Sequence, residues 1–501
     1  MSSIVEERRL RRGHGGAFAI AARLRPVLPL FAVVIAAVLV RLWIVTATDV
    51  SWLITLSEKV LDGARLYVDL IEVNPPASVW LYLPAVALAR AIGIAPEIVV
   101  NAFVFLAVGA SLCIAGWIFS RARLLDDIDG WTLAAFAVFL LLVFPARTFA
   151  QREHIAVIVL MPVLAVYVAR ARGLAPGFAA AIVAGIGAGI AVSIKPHFAL
   201  AVAFAAAAAA FYAKSWRPLL APEHWIAALI VAAYGASILV FYPQFITDVL
   251  PLVQAVYVPV RRSLWAILAH TSVILWLLSI FLLARQRRGA LFEPRLSILL
   301  AASCGFALAY ALQGKGWPYH TYPMLVLAFG ALAVLLCERA SKQTRIGKLG
   351  LFAASLGLVA AGFYAMSLAV DFTPLARSIR ESAIRPKVLA ISPDIGLGHP
   401  LVRQVGGRWV QRVGCLWITN NAEWLLKSET SLAAAARLQN YAAFDRALLL
   451  EDIRREKPDI ILLDAAWEAR TRANPALSAL LGVYAETGRE AGVIVLRRQG
   501  P

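Results

Sequence analysis

Apolar residues run in blocks of fifteen to twenty-three from residue 27 to residue 369, and short polar stretches separate the blocks. They fall near 27–46, 77–93, 97–119, 131–149, 155–169, 177–194, 198–213, 226–241, 264–284, 296–312, 321–337 and 349–369. A helix rises 1.5 Å per residue, so roughly 20 such residues cross the hydrocarbon layer. The pattern predicts a bundle of membrane-spanning helices. The weakest block is 77–93, which follows Pro75-Pro76, contains Pro84 and carries Arg90. Beyond residue 370 the period changes. "KVLAIS" (387–392), "DIILLD" (459–464) and "GVIVLRR" (492–498) read as short buried strands, and 431–456 has helical spacing. The expected fold is a polytopic α-helical membrane protein with a small α/β soluble domain at 371–501.

Composition agrees. The chain is 61% hydrophobic and 16% charged, whereas soluble domains carry about 25% charged residues. The net charge of +18 is spread over loops and tail rather than gathered on one soluble module, which argues against nucleic acid as a partner. Those charges orient the bundle instead. If 77–93 stays at one face, eleven spans remain, with twenty Lys and Arg inside, counting the six before residue 27, against nine outside. If 77–93 crosses, the bias reverses. Eleven spans are therefore expected, with residues 1–26 a basic cytoplasmic segment, 27–370 the membrane domain and the tail periplasmic, as in a bacterial inner membrane. The anchor is read as uncleaved.

This topology puts every unusual polar motif on the outer face: the acidic loop within 47–96, "RTFAQREH" (147–154), "IKPH" (194–197), "YVPVRRSLW" (257–265) and "QGKGWPYH" (313–320). "DVSWLITLSEKVLDG" reads as an interfacial helix with Asp49 as N-cap and Gly63 as its stop, and Asp69 and Glu72 read as solvated. With "LYVD" and "NPPASVWLYLP" after it, the loop resembles the first outer loop of GT-C membrane glycosyltransferases, a superfamily that includes protein O-mannosyltransferases and lipid A aminoarabinose transferases. The resemblance implies an essential Asp there, at Asp49. It also implies a second acidic residue about a hundred positions on (Glu153), a Lys-Pro motif (Lys195) and later basic residues (Arg261, Arg262). One position departs: Asn74 stands where the aminoarabinose branch has a Lys that helps hold the donor phosphate.

The resemblance implies transfer of a sugar from a polyprenyl-phosphate donor to a lipid, glycan or protein acceptor. The phosphate is a stable leaving group, so no acid need protonate it. What remains is a carboxylate to take the acceptor's proton and cations to balance the phosphate. Asp49 is the expected base, with Glu153 beside it. Arg152, Lys195, Arg261, Arg262 and Lys315 are the expected phosphate ligands, and Tyr67, Asn74, His154, His197 and His320 the expected substrate contacts. No cofactor is required, although a divalent cation bridging Asp49 and Glu153 would also fit. Arg41 has two readings, pairing with Asp49 or snorkelling. Asp127-Ile128-Asp129 resembles a nucleotide-sugar motif but lacks a nucleotide domain, and "SPDIGLGHP" lacks a phosphate-loop pattern. The rival reading is a lipid or glycan transporter, which would need ionisable groups along a midplane path.

Overall fold

The computed structural model describes residues 26–287, 292–339, 344–382 and 384–499; the basic segment before residue 26 lies outside them. Each of the twelve apolar blocks is helical for most of its length. Seven helices are long and apolar enough to cross a membrane, and the pair Leu28–Trp43 and Thr48–Leu61 passes the same test but bends by 74°. That bend turns the acidic helix across the end of the bundle. Shorter apolar helices, such as Phe178–Ile194, fill the remaining positions.

Contacts between loops reveal the alternation. At one end Arg295 bonds Asp127 (2.6 Å) and the Leu124 carbonyl (2.8 Å), Arg170 grips Glu223 (2.5 Å), and the Asp129 amide donates to the Cys337 carbonyl (3.0 Å). Asp129 also caps the helix Gly130–Val138 through the Thr132 amide. Both acids of the Asp-x-Asp motif are thus structural. At the other end Arg90 returns to Asp62 (2.9 Å) and to the Glu58 carbonyl (3.3 Å). The segment 77–92 therefore enters and leaves at the same end, as two short helices, Ala77–Trp80 and Leu83–Ile92, and does not cross. Gly93, at φ +69°, stops the second.

The tail folds as a five-stranded sheet in the order β2-β1-β3-β5-β4: β1 (Lys387–Ile391), β2 (Arg408–Trp409), β3 (Ile460–Asp464), β4 (Tyr484–Glu490) and β5 (Val493–Arg498). β2, β1 and β3 are parallel, and β5 pairs antiparallel with β3 and β4. Ile460 to Leu463 are all buried, the signature of a strand covered on both faces. The helix Leu432–Glu456 brings Leu449 and Ile453 onto Leu389, Ile391, Ile461 and Leu463.

The tail docks on the acidic helix. Arg403 reaches Glu58 (2.5 Å) and Glu97 (2.5 Å), Lys59 donates to the Gln411 carbonyl (2.5 Å), and the Ile71 amide to the Arg412 carbonyl (3.0 Å). Gly414 permits the closest approach, since a Cβ there would stand 2.9 Å from Ile395 and 3.2 Å from the Trp52 ring. These charges therefore join two parts of the fold rather than facing water.

One buried acid braces the tail. Asp445 Oδ2 accepts from the Thr419 amide (2.9 Å) and hydroxyl (2.7 Å), while Oδ1 has no partner. Burial pushes its carboxyl up from 3.8 to about 6. Its ionisation costs stability, a cost that builds as pH rises from 3.8 and is complete above about 6. Asp445→Asn removes that cost. The stability of this variant relative to the natural chain should climb by on the order of 3 kcal/mol between pH 4 and 7. Tail unfolding followed by tryptophan fluorescence reads it, and a pH-independent difference would contradict it.

A candidate active site at the seam between tail and membrane helices

The docked tail encloses a cavity of about 640 Å³ over the first outer loop. Asp49 and Trp52 from the helix Thr48–Leu61 form one wall, with Glu72 and Asn74 from the loop after it. Arg152 rises from the first turn of the helix Arg152–Ala171, Tyr257 ends the π-helical turn Val253–Tyr257, and Trp317 and Tyr319 come from the start of the helix Pro318–Cys337. The tail closes the other side with Asp394, Cys415, Trp417, Asn420 and Asn421.

Asp49 is not the helix cap expected of it. Ala47 holds that position without a side-chain bond, and Asp49 sits in the first turn. Its carboxylate is left free to meet Arg152 Nη2 at 3.3 Å, with Asp49 21% and Arg152 5% exposed. The helix N-terminus favours the negative charge there. Arg152 Nε and Nη1 are buried without a partner. A guanidinium with two idle donors beside a carboxylate is equipped to receive an anion.

Glu72, expected to be solvated, is buried at 4% exposure. Its carboxylate takes bonds from the chain: Trp52 Nε1 at 2.6 Å, the Asn74 amide at 3.0 Å, and the Asn74 side chain. Burial pushes its carboxyl up, and Arg152, Asn74 and Trp52 pull it down. Tyr67 lies outside the lining and positions this loop by donating to the Asn74 carbonyl at 2.6 Å. Asp69 is held by Arg65 at 3.0 Å on the surface.

Glu153 points away from the cavity. Lys195 Nζ meets it at 2.5 Å, His320 Nε2 at 3.4 Å, and Glu153 is fully buried. These three form a layer beneath the cavity rather than its lining. A divalent ion bridging Asp49 and Glu153 would have to displace Arg152 from one and Lys195 from the other. Among the described residues, no group of three or more His, Cys, Asp or Glu is placed to hold a metal.

The other expected ligands stand elsewhere. Lys315 donates to the Tyr257 (2.5 Å) and Val260 (2.6 Å) carbonyls and lies over the Tyr257 ring at 4.0 Å; burial lowers it to about 8. Arg261 is exposed and bonds the Ala311 (3.4 Å) and Leu312 carbonyls, and Arg262 is exposed beside it. His154 is buried between the Ala150 amide (3.0 Å) and the Leu141 carbonyl (2.7 Å). His197 packs against Phe198, outside the lining. Arg41 donates to the Ala146 carbonyl (2.8 Å) and lies over Phe149 (4.4 Å), so it does not pair with Asp49.

Sequence reasoning overlooked the tail's share. The loop after β1, read as a plain connection, carries Pro393, Asp394 and Ile395 to the cavity. A signal was available: ligands in α/β sheets gather at the carboxyl ends of parallel strands, where the order switches direction. β1 and β3 form such a switch here, and Ser392 Oγ bridges their ends to Asp464 Oδ2 at 3.1 Å.

No protein-family model matches the chain, and no curated protein matches it. Among solved structures, the chain is similar to ArnT from Cupriavidus metallidurans in the apo state, with a TM-score of 0.55 and 14% identity, over 94% of this chain and 99% of that one. The likeness is one of fold, and it covers bundle and tail together.

Proposed function

We propose that this chain is a GT-C-type glycosyltransferase that moves a sugar from a polyprenyl-phosphate donor to an acceptor hydroxyl in this cavity. The observation that carries the reading is the Asp49–Arg152 pair on the wall of a half-open, aromatic-lined cavity. The acceptor oxygen attacks the anomeric carbon, and its proton passes to the Asp49 carboxylate. The bond from that carbon to the phosphate oxygen breaks, and the electron pair leaves with the phosphate. Arg152, with Nε and Nη1 unpartnered, balances the charge that builds on the leaving group. The burial of Arg152, 5% exposed, strengthens this interaction, and holding donor and acceptor in one cavity supplies proximity. The apolar helices support placing the chain in a bacterial inner membrane, and the bias of Lys and Arg in the loops supports a periplasmic cavity and tail.

The reading has a direct assay. Purified protein in nanodiscs, given a panel of polyprenyl-phosphate sugars and mixed saccharide acceptors, should release polyprenyl phosphate. Release should continue in EDTA, because cations of the chain already neutralise both carboxylates. Failure to consume any donor, or net movement of the intact donor across proteoliposomes instead, would contradict the reading. Turnover abolished by EDTA and restored by magnesium would contradict the metal-free mechanism.

A further inference from the structure

Among the described residues, the cavity is lined by three carboxylates, Asp49, Glu72 and Asp394, against a single cation, Arg152. A donor phosphate occupies that cation. A second phosphate on the acceptor would then find no further cation among the described lining residues and would stand near carboxylates, where like charges repel.

The tail's contribution has a different chemistry. Trp417 opens the helix Trp417–Leu426, and Asn420 and Asn421 follow one turn on. Asn420 Nδ2 donates to Asn421 Oδ1 at 3.3 Å; among the described residues the remaining amide atoms, Asn420 Oδ1 and Asn421 Nδ2, have no partner. One is an acceptor and the other a donor, the two roles that ligand hydroxyls call for. Trp417 lines the cavity and meets Tyr257 edge-on at 5.8 Å; aromatic rings suit the C–H face of a sugar ring. The turn is fixed from behind by Asp445, which binds Thr419 through amide and hydroxyl. A rigid platform of amides and an aromatic ring is built for neutral polar ligands.

We infer that the tail supplies the acceptor subsite, and that the acceptor presents an uncharged, hydroxyl-bearing saccharide rather than a phosphorylated one. The inference rests on the transferase reading for the word acceptor, but the binding it asserts is measurable without turnover.

The test uses the full-length protein in nanodiscs on an array of immobilised neutral and phosphorylated oligosaccharides, with Asn420→Ala/Asn421→Ala in parallel. Binding confined to neutral saccharides, and weakened at least tenfold in the double variant, is expected. A preference for phosphorylated saccharides, absence of binding to any neutral one, or undiminished binding by the double variant would each overturn the inference. Where transfer is measurable, the double variant should raise the acceptor KM at least tenfold while the donor KM moves less than twofold. Equal rises in both would mark a structural role and overturn it. Saccharide binding without donor cleavage would leave the subsite standing and remove the transferase reading.

Discussion

Asp49→Asn is expected to lower sugar transfer by about 10²- to 10⁴-fold, the range that a positioned general base contributes. The substitution keeps the shape of the side chain and a bond to Arg152 through the amide oxygen, yet removes the site that accepts a proton. Because Asp49 does not cap its helix, the variant should fold, with an unfolding midpoint close to that of the natural chain. Donor affinity should persist, since the phosphate is assigned to Arg152. The loss should therefore fall on kcat rather than on the donor KM. Wild-type kcat in Asp49→Asn would exclude this carboxylate as base. A collapse in stability would instead make Asp49 structural.

Lys195→Met is expected to damage the fold, by about 3–5 kcal/mol, before it damages catalysis. Lys195 is 9% exposed and Glu153 fully buried, joined at 2.5 Å, and removing the cation strands a carboxylate whose second oxygen already lacks a partner. Glu153→Gln should cost a similar amount. The double variant Lys195→Met/Glu153→Gln should recover most of the loss, because no unpaired charge is left. Thermal unfolding of the four proteins gives the coupling. If Lys195 were instead a free phosphate ligand, Lys195→Met would keep its unfolding midpoint and lose donor affinity, and the double variant would recover nothing. That outcome would move the phosphate site one layer deeper.

The two predictions separate what the sequence could reveal from what it could not. Asp49 and Arg152 were legible because helix period and loop charge place both at the same end of the bundle, and hydropathy fixes such placements well. The re-entrant segment 77–92 was legible too, from Pro75, Pro76, Pro84 and Arg90. What pattern could not show is which polar group is already engaged. Lys315 and Arg261 look like phosphate ligands in an outer loop, yet each bonds backbone carbonyls of a neighbouring turn. Glu72 looks solvated in a loop rich in acids, yet it is buried with its carboxylate held by Trp52 and Asn74. Asn420 and Asn421 lie some 370 residues from Asp49 in sequence and carry no motif. Their place on the cavity wall follows from the docking of the sheet, through Arg403, Lys59 and Gly414. Sidedness is written in local composition, whereas pairing and cover arise from long-range contacts.

A cryo-electron-microscopy structure of the protein with polyprenyl phosphate bound is the most direct test of the site. The phosphate should lie inside the seam cavity, within hydrogen-bond distance of the Arg152 guanidinium and on the side facing Asp49. A phosphate held at Arg261 and Arg262 on the outer rim, with the cavity empty, would contradict the site and the mechanism built on it.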